Sequence, residues 1–181
     1  MTVPRELKLT KTGNNYLLGS MPVKELDQLK KNSISIKNIQ LNKPFDLSQR
    51  VKQLPQQYQI NLRADQVKDF SITLSNNAGE EVIIGYNKQK NAYYIDRTKS
   101  GKVDFEKDFA KRMAGPRLSE GENVSLTLIV DAASVELFAD NGLTVMTGIF
   151  FPDKTYNNVT IKSPGNFFIN ELVFSDMKSI W

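Results

Sequence analysis

The sequence predicts an all-β fold, a two-sheet antiparallel β-sandwich carrying one short helix. Three observations lead there. Apolar and polar residues alternate in short runs along most of the chain, which marks half-buried strands. Turn-forming residues separate the runs: Asn76-Asn77-Ala78-Gly79 and Asp140-Asn141-Gly142 each stand between two strand-like stretches, and Asn-Gly is the strongest short hairpin signal. About ten strands with frequent turns imply a sandwich or a closed barrel. The long connection over residues 44–58 suits a crossing between two sheets. It favours a sandwich of concanavalin-like or jelly-roll type.

The first element in chain order breaks the strand pattern. Over residues 22–31, Val23, Leu26 and Leu29 recur at a spacing of three, and Pro22 suits a first helical turn. This helix is expected to plug one end or edge of the sandwich. Strands are then expected at 33–41 and 58–62. In 70–75, Phe70, Ile72 and Leu74 share one face; in 81–86, Val82, Ile84 and Tyr86 do. A polar loop, 87–91, leads to the aromatic strand 92–96. Leu126, Leu128 and Val130 alternate through 125–130. The remaining strands are expected at 134–139, 143–151, 158–162 and 167–174.

Composition bounds the chemistry. The chain has 181 residues, 40% of them hydrophobic and 24% charged, which suits one globular domain. Cysteine and histidine are both absent. That excludes disulfides, thiolate nucleophiles, a Ser-His-Asp triad and the usual zinc ligands, so no metal or cofactor is expected. The net charge is +4, with basic residues spread along the chain; a nucleic-acid surface would concentrate them. No stretch approaches the ~20 apolar residues that span a bilayer. Residues 1–16 have no hydrophobic signal-peptide core, so no export signal is expected within them.

Candidate carboxylates for glycosidic chemistry are Glu80, Glu81, Asp96, Asp131 and Glu136. A catalytic pair stands about 5–9.5 Å apart across a cleft. Each residue also has a structural reading. Glu80 and Glu81 flank a turn and are expected to face water. Asp131 precedes a tight turn, where it bonds nearby backbone N–H groups. Glu136 lies between Val135 and Leu137 and so points to the opposite face. Asp96 adjoins Arg97, an arrangement suited to an ion pair. Asp140-Asn141-Gly142 has the residue types of a Ca²⁺ loop at turn spacing only. Tyr86, Tyr93, Tyr94 and Trp181 are the aromatic candidates for stacking on sugar; Tyr93 and Tyr94 are adjacent, so only one can face the core.

Several stretches together resemble glycoside hydrolase family 32, the invertases, levanases, inulinases and related fructan-cleaving enzymes. Met1-Thr2-Val3-Pro4-Arg5-Glu6-Leu7 resembles the family's M-T-x-P-R-E-L segment. Pro22-Val23-Lys24-Glu25-Leu26 looks like its P-V-x-E-L helix, and Tyr94-Ile95-Asp96-Arg97 like its I-D-R strand. Residues 130–138, with Asp131, Val135, Glu136 and Phe138, are similar to its V-D-x-S-S-V-E-V-F hairpin, with Ala133 where Ser is common. Asn141-Gly142 and Phe151-Pro152 continue the match. The structural motif residues are thus Arg5, Glu6, Asp96, Arg97, Asp131 and Glu136.

The resemblance implies a C-terminal β-sandwich that follows a catalytic β-propeller. The family's catalytic segments, W-M-N-D-P-N-G, R-D-P and E-C, do not occur here. Residues 1–20 would then be a junction segment and 21–181 the sandwich. No catalytic residue is expected in this chain; its expected partner is the propeller, which it would brace, and the alternative reading is a fructan-binding module. Fructan and a second copy of the chain are further candidate partners; nucleic acid and membrane are not. The implied parent is a bacterial protein that is secreted, periplasmic or on the cell surface, while the location of this piece is left open. Residues 1–9 and the helix after Pro22 are expected near the propeller interface.

Overall fold

A computed structural model of the chain describes residues 2–178. It contains fourteen strands. The first two, β1 (Arg5–Thr12) and β2 (Asn15–Pro22), form a two-stranded antiparallel sheet of their own. The others are β3 (Lys30–Leu41), β4 (Phe45–Asp46), β5 (Tyr58–Ala64), β6 (Phe70–Ser75), β7 (Glu81–Asn87), β8 (Ala92–Lys99), β9 (Met113–Pro116), β10 (Val124–Asp131), β11 (Ser134–Ala139), β12 (Thr144–Ile149), β13 (Asn158–Lys162) and β14 (Phe167–Met177). They build two six-stranded sheets, ordered β12-β11-β10-β5-β14-β3 and β4-β13-β6-β7-β8-β9. Every pairing is antiparallel. The predicted sandwich is the observed one. All ten strands expected from alternation are present, several longer than the sequence pattern suggested; β1, β2, β4 and β9 lie outside the predicted strands.

The core lies between the sheets, where every second residue of each strand points inward. Ile60, Leu62, Leu126, Leu128, Leu137 and Leu172 from the first sheet meet Ile72, Leu74, Val82, Ile84, Ile95 and Val159 from the second, all fully buried or nearly so. Removing each of these side chains from water contributes about 1.5–3 kcal/mol.

The helical segment differs from expectation. It is a 3-10 helix, Lys24–Leu29. It plugs neither an end nor an edge: its residues face Gln59, Asn61 and Thr127 on the outer surface of the first sheet. The spacing of three accounts for the helix type, because residues i and i+3 eclipse at three residues per turn. Val23, Leu26 and Leu29 therefore align and are half-buried together.

One acidic residue also departs from the sequence reading. Glu80 does not face water. It is buried, and its carboxylate accepts hydrogen bonds from Asp153 N (2.9 Å), Lys154 N (3.3 Å) and Asn76 Nδ2 (2.5 Å). Glu81 is half-exposed and lies 3.5 Å from Lys99. Burial alone would raise the Glu80 pKa; the donors from Asp153, Asn76 and Lys154, with the Lys154 charge, outweigh it and hold the carboxyl below its ordinary value. A depressed folded-state pKa contributes stability above the unfolded value, about 4.3, and loses it as pH falls through the folded value. The melting temperature of the parent chain should therefore exceed that of Glu80→Gln at neutral pH. The gap should narrow as the pH is lowered past about 4; a constant gap in thermal melts from pH 7 to 3 would contradict this.

Candidate functional site

Outside the sandwich core, the N-terminal segment locks onto the outer face of the first sheet. The segment Thr2 to Pro4 crosses the outer face of β11, and the β1–β2 hairpin follows it. Glu136 points outward from β11, because its neighbours Val135 and Leu137 point into the core. There it meets Arg5: Nη2 lies 2.7 Å from Glu136 Oε2, and also 3.3 Å from Thr147 Oγ1. Val3 N donates to Glu136 Oε1 at 2.7 Å. The Arg5 guanidinium sits 5.2 Å from the centre of the Phe138 ring. Glu136 is thereby 3% exposed with both oxygens engaged. A buried carboxylate with a guanidinium and a backbone N–H is satisfied, and removing either partner is costly.

The β11–β12 turn makes the second contact. Asp140, Asn141 and Gly142 have φ of 50°, 59° and 78°. This left-handed run suits Asn and Gly. It brings the Gly142 carbonyl to Ser20 N of β2, which donates to it at 3.0 Å. A side chain at Gly142 would collide with the Ser20 backbone. Gly142→Ala should detach the hairpin from the turn while leaving most of the sandwich intact, at about 1–3 kcal/mol. Faster amide exchange at Ser20, with unchanged exchange at Leu128 in mid-β10, is the expected readout.

Below that turn lies a buried polar cluster. Asp140 Oδ2 is 2.9 Å from Arg117 Nε and accepts from Tyr93 Oη at 2.8 Å. Arg117 also donates to the carbonyls of Ser119, Gly121 and Asn123. Burial raises the Asp140 pKa, and the Tyr93 hydroxyl and Arg117 charge only partly offset this. Asp140 Oδ2 is thus committed to Arg117 and Tyr93. Among the described residues, no group of three or more acidic side chains gathers at one point.

The aromatic candidates fare differently from the sequence reading. Tyr86 and Tyr93 are core residues, 2% and 0% exposed, packed together with ring centres 5.1 Å apart. Tyr86 Oη donates to Asn91 Oδ1 at 2.8 Å. Neither ring is open to a sugar, because both belong to the inward-facing register of their strands. Tyr94 points outward, but its ring tip lies over Gly85 and Arg112 stacks 3.8 Å from its ring centre. Trp181 and Met1 lie outside the described residues.

Asp96 and Arg97 do not pair with each other. They point to opposite faces of β8: Asp96 Oδ1 accepts from Thr98 N and Oγ1, while Arg97 donates to the carbonyls of Ile149 and Phe109. Asp131 Oδ1 accepts from Ala132 N and Gln57 Nε2. Asp131 and Glu136 line one cleft of about 190 Å³, alongside Val3, Leu26 and Leu29, yet the carboxylates are committed to these separate partners. Glu6 is exposed on the hairpin.

The sequence reading missed the outer face of that hairpin. Leu7, Leu9, Tyr16 and Leu18 are 63%, 68%, 68% and 56% exposed. Register puts Leu9 opposite Leu18 and Tyr16 opposite Lys11, so these side chains share one face. The alternation Leu7-x-Leu9 and Tyr16-x-Leu18 about Gly13 was the available signal.

Fold and contacts define a two-sheet β-sandwich with a clamped N-terminal hairpin that bears an uncovered apolar face. The family described as glycosyl hydrolases family 32 C terminal matches residues 25–178, and the chain belongs to it. Among curated relatives, the levanase of Bacillus subtilis (strain 168) is 25% identical over 186 residues, covering 99% of this chain and 27% of the relative. The extracellular exo-inulinase of Aspergillus ficuum is 29% identical over 175 residues, covering 91% of this chain and 32% of the relative. Among solved structures, the exo-inulinase of Aspergillus awamori superposes with a TM-score of 0.80 at 24% identity, covering 99% of this chain and 36% of that one. The chain spans about a fifth to a third of the length of the curated relatives it matches.

Proposed function

We propose that this chain is the non-catalytic C-terminal module of a secreted fructan-cleaving glycoside hydrolase, and that it braces a catalytic β-propeller preceding it. The hairpin carries this reading. A two-stranded sheet alone is marginal in water, and a cluster of exposed Leu and Tyr side chains on it fits a surface buried against a neighbour. Each hairpin strand pairs only with the other, leaving edges that further strands could extend. The Arg5–Glu136 pair and the Ser20–Gly142 hydrogen bond would fix the hairpin's angle to the sandwich, and so the angle of whatever packs on it. The engaged carboxylates and the absence of histidine and cysteine support a non-catalytic role.

The test is to produce the preceding module of the same parent separately and melt it with and without this chain. A rise in its melting temperature on mixing, saturating at one to one, is expected. No rise, with both samples folded, would remove the bracing reading.

A further inference from the structure

Between the 3-10 helix and the outer face of the first sheet lies a cavity of about 350 Å³, within the ~300–1,000 Å³ of small-molecule sites. We infer that it is a binding site for a short, neutral polyhydroxylated ligand, a fructosyl unit of the polymer. The fructosyl assignment rests on the reading of the parent as a fructan-cleaving enzyme.

The lining carries the inference. Asn61 stands between two donors: Gln59 Nε2 at 3.1 Å and Thr127 Oγ1 at 2.8 Å both give their protons to its Oδ1. That fixes the amide orientation and leaves Asn61 Nδ2 as a donor without a partner among the described residues. Gln59 Oε1 and Ser125 Oγ likewise have no protein partner among them. The cavity thus presents a donor, an acceptor and a hydroxyl on adjacent strands β5 and β10. Sugar hydroxyls, each donor and acceptor at once, meet such a mixed set; a phosphate or an ammonium would not.

Charge points the same way. The ionic side chains of the cavity are paired internally, Asp27 with Lys30 at 2.7 Å and Arg63 with Glu171 at 3.9 Å. Lys24, on the rim, is the exception. Apolar walls from Met21, Leu26 and Val173 supply contact for C–H faces. No aromatic platform is needed, which agrees with Tyr86, Tyr93 and Tyr94 being occupied.

Native gel electrophoresis of the chain in levan, in inulin and in dextran tests this, with Asn61→Asp, Ser125→Ala and Phe151→Ser as variants. Asn61→Asp keeps the oxygen that Gln59 and Thr127 use and removes the free donor. Phe151, 41% exposed beside Phe105 and Phe109 on the surface, offers the rival sugar platform. The expected result is retardation by levan or inulin but not dextran. It should weaken about tenfold in Asn61→Asp, as for one lost hydrogen bond to a ligand, and persist in Phe151→Ser. Titration with a short fructo-oligosaccharide should shift the Asn61 and Gln59 side-chain amide signals in NMR. No retardation of folded protein, or retardation lost only in Phe151→Ser, would overturn the site. Retardation by dextran alone would overturn its fructosyl assignment. The bracing reading has its own readout, association with the preceding module, which needs no sugar; the two can therefore fail separately.

Discussion

Changing Leu9→Glu and Leu18→Lys together is expected to weaken association with the catalytic module proposed to precede this chain by about a hundredfold or more. The two residues are directly opposed and largely exposed in this chain. Each buried Leu side chain contributes about 1.5–3 kcal/mol, so losing both removes about 3–6 kcal/mol, and tenfold in affinity corresponds to about 1.4 kcal/mol. The new charges are opposite in sign and paired across the strands, which supports the hairpin. The chain's own melting temperature should hardly change, because neither Leu reaches the sandwich core. Titration calorimetry of the two modules measures the first effect and a thermal melt the second. Undiminished association would mean that the hairpin face is not the contact; a large fall in the chain's own melting temperature would mean that the hairpin is part of the fold rather than a surface for a partner.

Asp140→Ala is expected to destabilise the sandwich itself severely. It leaves the Arg117 guanidinium, 7% exposed, without its carboxylate, and orphans the Tyr93 hydroxyl. Breaking one side of a buried ion pair costs about 3–5 kcal/mol. Alanine at φ 50° adds backbone strain. At about 2–4 °C per kcal/mol for a domain of this size, the melting temperature should fall by roughly 6–20 °C. Burial already makes the ionised form of Asp140 expensive, which offsets part of that loss. Combining Asp140→Ala with Arg117→Met should recover part of the loss, since the stranded charge goes too, and a double-mutant cycle would measure the coupling. A fall no greater in Asp140→Ala than in Ser125→Ala would show that the cluster contributes little.

The sandwich was legible in the sequence because it is governed by a local rule. A strand with one face in the core must alternate, and Leu126-x-Leu128-x-Val130 or Phe70-x-Ile72-x-Leu74 can do little else. Turn chemistry was legible for the same reason: Asp140-Asn141-Gly142 takes three left-handed residues in a row, which few side chains tolerate. The family likeness was legible in its motifs, and two residues of those motifs, Arg5 and Glu136, form the ion pair that ties the hairpin to β11.

Other features depended on partners distant in sequence. That Glu136 is buried by Arg5, 131 residues away, and Glu80 by loop N–H groups 73 residues on, follows from how the hairpin and a distant loop pack onto the sheets. Tyr86 and Tyr93 have the same local appearance as an exposed platform; which side of a strand meets the second sheet is decided by packing, not by the strand. Alternation specifies that a residue has a face, whereas only the tertiary structure decides what covers it. The sequence by itself therefore determined the architecture and the family. The tertiary structure decided which polar groups are spent on holding the fold, such as Glu136 and Asp140, and which surfaces stay uncovered, the apolar face of the hairpin and the polar groups beside Asn61.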